Sequence, residues 1–460
     1  MTLIKSISGI RGTIGGTPGG GLTPIDTVRF ASAYGEWLKR RFPGKKLMIV
    51  IGSDARISGP IICDLVKSSI ISMGIDVTDI GLATTPTTEI AVIGLKADGG
   101  IIVTASHNPA QWNALKLLNE KGEFMSEKDG RDLIEISEND EFIYCDIDDL
   151  GKVISDNTWN EKHIEMVVNC KEVNVRAIKA AGFTVVADCV NSVGGIVIPQ
   201  LLERLGVKRV IGLYCEPTGR FPHNPEPLPL NLKELSVSVV KERADIGLAV
   251  DPDVDRLALV CEDGSMFGEE YTLVAVADYI LKINPGSSVS NMSSSAALRD
   301  VTLMHGCQYY SSPVGEVNVV EEMKKREAVI GGEGNGGIIY PALHYGRDAL
   351  IGIALFLSHL AEMKTKMSLL KQSYPVYVIS KNKIDLDVNM KIEKIYDSIR
   401  EKYKGLKIDG RDGIRIDFEN GWVHLRSSNT EPIIRIYSEA PSISEADERA
   451  FEIIRFVNKS

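Results

Sequence analysis

Hydrophobic positions in the first 150 residues alternate between two spacings. Apolar residues recur at helical intervals over residues 24–42, 60–73 and 87–95, and short apolar runs typical of buried strands occupy 47–52, 75–80 and 100–103. Thr23 is placed to cap the first helix, and a Pro-Gly pair after Phe42 is placed to end it. Helices and strands that alternate with short connections predict a parallel sheet covered by helices.

The same order of helix, glycine, strand and turn recurs twice more, around Gly206 and Gly306. Its spacing is irregular, which excludes a solenoid and favours three successive α/β modules of related design. After Pro375 the pattern changes to alternating apolar and polar residues, which predicts a smaller α+β domain whose antiparallel sheet has one face in solvent. The strands predicted there are 414–418, 422–425 and 433–437, and the helices are 390–402 and 444–457.

Composition narrows the class of protein. Hydrophobic residues make up 44% of the 460-residue chain and charged residues 25%, and the formal net charge of −10 argues against a nucleic-acid or anionic-membrane binder. The seven cysteines are scattered and form no C-x-x-C pair, which is typical of a reducing compartment and excludes a Cys-rich zinc module. The longest apolar stretch, 349–357, is too short for a membrane span, and the N-terminus lacks a signal-peptide core. We therefore expect a cytoplasmic protein.

Ser106 follows one of the predicted buried strands. Residues 104–109 read Thr-Ala-Ser-His-Asn-Pro, and because proline disfavours a helical residue before it, the chain is expected to turn here. This would leave the Ser106 hydroxyl at an exposed turn beside His107. Serine is a poor nucleophile unless a base or a metal activates it. Taken alone, the hexapeptide fits equally well a turn whose serine caps backbone amides.

Three aspartates at alternate positions follow the predicted strand 246–250. Asp251, Asp253 and Asp255 converge only if their repulsion is relieved, and a hard divalent cation does that. An EF-hand is excluded because Arg256 stands where that loop needs glycine. A solvated acidic turn is the plainer alternative, although a strand end is an unusual place for it. Three oxygen ligands without a nearby histidine favour Mg²⁺ over zinc.

Three further segments suit an anionic ligand rich in hydroxyl groups. Arg11 lies between two glycines, so that a guanidinium and backbone amides can approach an anion together. Residues 331–337 contain five glycines around one glutamate and one asparagine, which offer acceptor and donor groups to hydroxyls. Residues 426–432 read Arg-Ser-Ser-Asn-Thr-Glu-Pro and, with Arg435, suit a phosphate cradle. Each segment alone also fits a flexible arm, a mobile loop or an ordinary hairpin turn.

Four of these motifs, in this order, resemble the α-D-phosphohexomutase family across essentially the whole chain. They are residues 104–109, 251–256, 332–336 and 426–432. The resemblance implies an α/β fold of four domains around a central cleft: three related α/β modules with mixed, largely parallel sheets, and a C-terminal α+β domain. The domains expected are 1–150 with the phosphoserine loop, 151–256 with the metal loop, 257–372 with the sugar-binding loop and 373–460, which binds phosphate.

The resemblance also implies the chemistry. Ser106 would be carried as a phosphoserine, give its phosphoryl group to a hexose monophosphate, and regain one from the other end of the resulting hexose 1,6-bisphosphate. Mg²⁺ on Asp251, Asp253 and Asp255 would hold a phosphoryl oxygen of Ser106, which fits a reaction that depends on charge neutralisation and in-line placement. The resemblance further implies that Arg11 and Arg256 support the transferring group and that His107 and Lys116 handle the proton of the sugar hydroxyl. Glu333 and Asn335 would recognise sugar hydroxyls. The residues that would bind the non-reacting phosphate are Arg426, Ser428, Asn429, Thr430 and Arg435. Inside a cleft, we expect a lowered pKa for Lys116.

The sugar-binding loop departs from the usual family pattern, Glu-x-Ser-Gly-His. Asn335 stands for the serine and Gly337 for the histidine, so any acid–base role of that histidine is missing. This form resembles the branch of phosphoglucosamine mutases and dual phosphoglucomutase/phosphomannomutases, and an acidic loop favours an amino sugar. We therefore predict conversion of glucosamine 6-phosphate to glucosamine 1-phosphate, with dual specificity for glucose and mannose phosphates as the alternative.

Two remoter alternatives are a sugar-phosphate phosphatase that uses the same metal site and a sugar-phosphate sensor without activity. The expected partners are small-molecule hexose phosphates, with neither nucleic acid nor membrane, and the protein is expected to be a monomer or homodimer.

Overall fold

The computed structural model describes residues 2–6, 9–385, 392–427 and 433–457. The chain divides into two compact units. The first comprises Met1–Thr272 and Gly336–Ser368, and the second comprises Leu273–Asn335 and Leu369–Ser460. Within the described ranges, no helix combines the length and the apolar character that crossing a membrane requires.

A mixed sheet with helices on both faces begins the first unit. Its elements are β1 (Ile4–Ser6), β2 (Gly9–Thr13), α1 (Pro24–Arg41), β3 (Met48–Ser53), α2 (Gly59–Ser72), β4 (Asp76–Leu82), α3 (Thr85–Leu95), β5 (Gly99–Val103), β6 (Trp112–Leu118), α4 (Glu127–Glu138) and β7 (Val153–Ser155). The strand order is β1-β2-β6-β5-β3-β4-β7. Strands β3, β4, β5 and β7 are parallel, whereas β6 runs antiparallel to both β5 and β2.

The short apolar strands are buried on both faces, as their sequence predicts. Ile101 packs in one core with α1 and α2, and Ile102 packs in a second core with α3. Thr23 caps α1, since its Oγ1 accepts the backbone N–H of Asp26 at 3.3 Å. The capping prediction is therefore confirmed.

A second, smaller sheet completes most of the first unit. Its elements are α5 (Trp159–Val168), α6 (Val175–Ala181), β8 (Thr184–Asp188), α7 (Gly194–Arg204), β9 (Arg209–Leu213), α8 (Lys233–Glu242), β10 (Ile246–Val250) and β11 (Leu257–Cys261), followed by α9 (Glu269–Ile283). Strands β10, β8 and β9 are parallel, and β11 lies antiparallel at the edge beside β10. The three aspartates occupy the turn between β10 and β11, and this antiparallel hairpin confirms that the segment is no EF-hand.

The next part of the chain contributes to both units. Its elements are β12 (Ser288–Asn291), α10 (Ala296–Met304), β13 (Tyr309–Ser312), α11 (Glu316–Lys325), β14 (Ile330–Glu333), β15 (Gly337–Ile339), α12 (Ala349–Met363) and α13 (Met367–Gln372). In the second unit, β12 pairs in parallel with β13 and β14. Two glycines of the glycine-rich segment 331–337, Gly331 and Gly332, belong to β14, where they pair with Val289 and Ser290.

The C-terminal part of the second unit is an antiparallel sheet. Its elements are β16 (Val378–Asp385), α14 (Ile392–Lys402), β17 (Lys407–Asp409), β18 (Ile414–Phe418), β19 (Gly421–Ser427), β20 (Ile433–Ala440) and α15 (Ile443–Val457). The strand order is β16-β20-β19-β18-β17, and α14 and α15 pack on one face through a core that includes Ile399, Leu425 and Ile453. The predicted fold class, α/β with mixed sheets and a C-terminal α+β part, is confirmed.

Candidate active site

Ser106 lies just beyond the end of β5, in a loop that turns back into β6. Its φ of +48° is in the left-handed region, and its Oγ donates a hydrogen bond of 2.7 Å to Oδ2 of Asp251. The expectation of an exposed hydroxyl is wrong, since Ser106 is only 5% exposed. The hydroxyl is directed at a carboxylate of the first unit rather than at solvent.

The three aspartates form a compact, fully buried cluster. Each offers a carboxylate oxygen within 4.8 Å of the others. Asp251 Oδ1 accepts the backbone N–H groups of Asp255 and Arg256, both at 3.1 Å, which folds the turn back on itself. Among the described residues, no hydrogen-bond donor reaches Asp253 Oδ1 or Asp255 Oδ1. Buried carboxylate oxygens with unused lone pairs fit a hard divalent cation such as Mg²⁺.

Cationic side chains surround this cluster. Lys116 Nζ lies 2.6 Å from Asp253 Oδ2 and 3.1 Å from Asp255 Oδ2, and Arg347 Nη2 lies 2.7 Å from Asp255 Oδ2. Burial raises the pKa of Asp255, but Arg347, Lys116 and Arg256 outweigh it and hold that pKa below its ordinary value. For Asp251, burial and the neighbouring carboxylates raise the pKa well above its ordinary value. A cation bound at this cluster would therefore favour the ionised form of Asp251.

The expected lowering of the Lys116 pKa is not what the structure gives. Burial does lower this pKa, but the charges of Asp253 and Asp255 outweigh burial and raise it above its ordinary value. Lys116 is thus a cation at neutral pH while both carboxylates are paired with it.

His107 and Arg11 lie close to the same charges. Burial and the positive charge of Arg256 lower the pKa of His107 well below 6.5, so its imidazole is neutral at pH 7. His107 Nδ1 lies 3.4 Å from Ser106 Oγ. Arg11 is on β2. Burial and the charge of Arg256 outweigh the opposing charge of Asp253 and lower the pKa of Arg11 below its ordinary value. The first unit therefore brings together every residue predicted for phosphoryl transfer and for the metal.

The predicted sugar-binding residues belong to the second unit. Glu333 is the last residue of β14 and is 4% exposed. Its Oε1 accepts from Asn291 Nδ2 at 2.9 Å and from the backbone N–H of Gly315 at 3.1 Å. Asn335 Nδ2 lies 3.5 Å from Glu333 Oε2. These contacts fix the orientation of the Glu333 carboxylate.

Two of the predicted phosphate-binding arginines face each other across the C-terminal sheet. Arg426 on β19 pairs in register with Arg435 on β20, and Lys383 on β16 pairs with Arg435 from the other side. Arg426 also pairs with Asp412 at 3.5 Å, and Lys383 with Asp385 at 3.5 Å. Three cations side by side on neighbouring strands suit an anion. Ser428, Asn429 and Thr430, predicted for the same role, lie outside the described residues.

The sequence interpretation missed two residues that hold the aspartates. Arg347 pairs with Asp255, and Thr85, the first residue of α3, donates its hydroxyl hydrogen bond to Asp253 Oδ2 at 2.6 Å. The Arg-Asp pair at the start of α12 was a visible signal, because Asp348 is a helix cap. No spacing in the sequence connects Thr85 with Asp253.

A buried ion cluster lies next to Arg347 in the chain. Asp348 caps α12 and its Oδ2 lies 2.9 Å from His163 Nε2 and 3.4 Å from His344 Nε2. The other ring nitrogen of His344 lies 3.3 Å from Glu89 Oε2. Burial lowers the pKa of His344, but Asp348 and Glu89 outweigh it and raise that pKa to about 10. His344 is therefore charged at neutral pH.

We expect the protein to lose stability in alkaline solution through His344. Its pKa rises from 6.5 to about 10 on folding, so its contribution is complete below pH 6.5 and is lost as pH rises through 10. His344→Gln should destabilise the protein by roughly 3 kcal/mol at pH 7, because it removes the positive charge that Asp348 and Glu89 share, and by less at pH 10. Urea unfolding between pH 6 and 10 measures the free energy of unfolding of the original protein and of His344→Gln as a function of pH. Parallel profiles for the two proteins would contradict this assignment.

Comparison with known proteins adds independent information. Models of the phosphoglucomutase/phosphomannomutase family match the chain in order: alpha/beta/alpha domain I at residues 3–143, domain II at 161–264, domain III at 268–377 and the C-terminal domain at 381–455. The domain boundaries proposed from sequence remain predictions.

Curated relatives and a solved structure agree with these models. A phosphoglucomutase/phosphomannomutase of Thermococcus kodakarensis is 36% identical over 93% of both chains. A probable phosphoglucosamine mutase of Methanopyrus kandleri is 33% identical over 98% of this chain and 97% of the relative. The crystal structure of a phosphoglucomutase/phosphomannomutase family protein from Burkholderia thailandensis has a TM-score of 0.85 and 25% identity, covering 99% of this chain and 97% of that chain. The chain therefore belongs to the phosphoglucomutase/phosphomannomutase family of α-D-phosphohexomutases, enzymes that isomerise hexose phosphates by intramolecular phosphoryl transfer.

Proposed function

We propose that this phosphohexomutase interconverts glucosamine 6-phosphate and glucosamine 1-phosphate through a phosphorylated Ser106. One observation carries the proposal: the Ser106 hydroxyl lies 2.7 Å from Asp251 within a buried cluster of three aspartates. Phosphoryl transfer requires placement and charge neutralisation more than covalent help, and this arrangement supplies both.

Asp251, Asp253 and Asp255 are the residues that would hold Mg²⁺. All three carboxylates are buried and close together, and Oδ1 of Asp253 and of Asp255 accepts no hydrogen bond among the described residues, which suits an oxygen-liganded cation. When bound, Mg²⁺ would neutralise negative charge on the phosphoryl oxygens.

The other residues of the first unit act on the substrate and on its proton. The phosphoryl group leaves Ser106 Oγ and bonds to a sugar hydroxyl oxygen, while Arg11 and Arg256 offset its charge. We assign acceptance of the hydroxyl proton to the neutral imidazole of His107. A share of Lys116 in handling this proton stays a prediction, since the charges of Asp253 and Asp255 raise its pKa above its ordinary value. The bisphosphate then gives the phosphoryl group at its other end to Ser106 Oγ and the sugar oxygen there regains a proton, which restores the phosphoserine and leaves the isomerised hexose monophosphate.

Sugar preference is assigned to the loop that contains Glu333 and Asn335. A fixed carboxylate favours an ammonium group, which points to an amino sugar rather than a neutral hexose. The second candidate is a dual phosphoglucomutase/phosphomannomutase, favoured by the 36% identity to the relative of that name. Both candidates use the same Ser106 chemistry.

The decisive experiment compares kcat/KM for the 6-phosphates of glucosamine, glucose and mannose, with Mg²⁺ and the matching hexose 1,6-bisphosphate as activator. We expect glucosamine 6-phosphate to have the highest value and total organic phosphate to be conserved. A higher value for glucose and mannose phosphates would establish the dual enzyme instead. Release of inorganic phosphate in step with substrate loss would identify a phosphatase.

Arg435 should act on substrate binding. Arg435→Ala removes one cation of the row formed with Arg426 and Lys383, so KM should rise about tenfold or more with little change in kcat. Steady-state kinetics measures both constants. Arg400→Ala is the matched control, because Arg400 is an exposed arginine of the same C-terminal part and, among the residues that the structure describes, forms an ion pair only with Asp397. A fall in kcat at normal KM would contradict the binding role.

A further inference from the structure

Arg56 is a fully buried arginine that no role assigned above involves. It is 1% exposed, and it follows β3 at the same sheet edge as Ser106. Its Nη2 donates to the carbonyl oxygens of Ser106 and Asn108, both at 2.6 Å, and its Nη1 donates to those of Pro109 at 2.8 Å and Trp112 at 2.9 Å. Three of these acceptors belong to the loop that carries the proposed nucleophile, and the fourth, Trp112, is the first residue of β6, into which that loop leads.

The fifth N–H of this guanidinium is connected to the same loop indirectly, through Asp54 and Thr104. Arg56 Nε donates to Asp54 Oδ2 at 3.1 Å, and this oxygen also accepts from Thr104 Oγ1 at 2.6 Å. Thr104 Oγ1 in turn accepts the backbone N–H of Ser106 at 2.9 Å. Ser106 is therefore held at its amide through Thr104 and at its carbonyl through Arg56. Because a guanidinium has five N–H groups, Arg56 has none left for a ligand.

Ser106 needs such support because its backbone is unfavourable. A φ of +48° is rare for residues other than glycine, and such conformations persist only where the surroundings over-determine them. The conformation directs Oγ at Asp251. Relaxation of the loop would therefore move the hydroxyl away from the aspartate cluster.

Residues 54–56 are also connected, through Ser192, to the turn that contains the three aspartates. The backbone N–H of Ala55 donates to Ser192 Oγ at 3.3 Å, and that hydroxyl donates to the carbonyl of Pro252 at 2.7 Å. Residues 54–56 thus connect to the Ser106 loop through side chains and to the Asp251 turn through Ser192. Residues 54–56 therefore contribute to the distance between the Ser106 hydroxyl and the aspartates.

We propose that Asp54, Arg56 and Thr104 are positioning residues that fix the Ser106 hydroxyl for phosphoryl transfer. The inference rests on the proposed role of Ser106. All three side chains are almost completely buried and their polar atoms bond within the protein, so we expect them to act on kcat and to leave KM unchanged. A displacement of about 1 Å at a reacting atom costs about 100-fold in rate.

The sharpest test uses a matched pair at residue 104. Thr104→Val keeps the side-chain shape and removes the hydroxyl, whereas Thr104→Ser keeps the hydroxyl. We expect Thr104→Val to lower kcat about 100-fold at unchanged KM, and Thr104→Ser to stay within a few-fold of the original protein. Arg56→Lys, which cannot reach four carbonyls, should match Thr104→Val. Equal kcat for Thr104→Val and Thr104→Ser, both folded by circular dichroism, would overturn the proposal.

A second measurement separates this inference from the proposed function. Each protein is mixed with glucose 1,6-bisphosphate carrying a radioactive phosphate, and the rate at which label enters the protein is followed. We expect rapid labelling of the original protein, none for Ser106→Ala and about 100-fold slower labelling for Thr104→Val. Labelling of Ser106→Ala would refute the phosphoserine scheme. Labelling that depends on Ser106 but is equally fast in Thr104→Val would refute the positioning role alone.

Discussion

Replacement of Ser106 by alanine should lower mutase turnover by about 10⁴-fold or more, because it removes the oxygen that is proposed to carry the phosphoryl group. The hydroxyl donates a single side-chain hydrogen bond, to Asp251, so the substitution should leave folding intact. The measurement is kcat with glucosamine 6-phosphate at saturating Mg²⁺ and bisphosphate, accompanied by thermal unfolding of both proteins.

Ser69→Ala is the control for this substitution. Ser69 is a buried serine in the last turn of α2, and its Oγ donates to the Leu65 carbonyl at 2.8 Å. Its replacement by alanine therefore removes a hydroxyl that is buried to a similar extent but has no role in the candidate site. Turnover of Ser69→Ala should stay within about twofold of the original protein, since a helical alanine costs little. Normal turnover of Ser106→Ala would eliminate the phosphoserine scheme.

Replacement of Lys116 by methionine should have the largest effect on stability. Lys116 is 5% exposed and pairs with two fully buried carboxylates, so its loss leaves Asp253 without an ion-pair partner among the described residues and Asp255 with its arginines alone. Breaking a buried pair costs about 3–5 kcal/mol, which urea unfolding in the absence of divalent cations would detect. Turnover should also fall, because the charges around the transferring group are no longer balanced.

Two comparisons make the Lys116 result specific. Lys67→Met is the matched control, since Lys67 also pairs with two aspartates, Asp64 and Asp79, but lies at the surface, where such pairs contribute less than about 1 kcal/mol. Added Mg²⁺ should stabilise Lys116→Met more than the original protein, because a cation then takes over the neutralisation. Equal stabilisation of both proteins by Mg²⁺ would contradict metal binding at the aspartates.

Strands with a clear hydrophobic pattern could be predicted from sequence, whereas a strand that combines apolar and polar residues without a regular pattern could not. The runs that form β3, β5 and β10 are apolar throughout because both faces are buried. Strand β6 was not predicted, although all but its first residue are buried, because it contains Asn113 and Lys116 at buried positions and so shows neither an apolar run nor alternation. Tertiary pairing of its polar groups, which no local pattern records, makes that strand possible.

Residues of the candidate site could be predicted from sequence where they lie in one short motif, and were missed where distant parts of the chain bring them together. Ser106 and the three aspartates were identified because each motif lies within six consecutive residues at a strand end. Arg347 and Thr85 were missed because each meets the aspartates across a long separation in the chain, 92 residues for Arg347 and Asp255 and 168 for Thr85 and Asp253. The pKa of Lys116 was misjudged for the same reason, since it depends on two carboxylates more than 130 residues away.

The first unit is completed by a segment that returns from far along the chain, Gly336–Ser368. This segment supplies the arginine that pairs with Asp255 and the aspartate that pairs with two buried histidines. A truncated polypeptide ending at residue 272 therefore lacks an integral piece of its own interior. Fragment complementation, with residues 336–368 supplied as a separate peptide, is the route by which the Ser106 half of the enzyme could be reassembled from pieces.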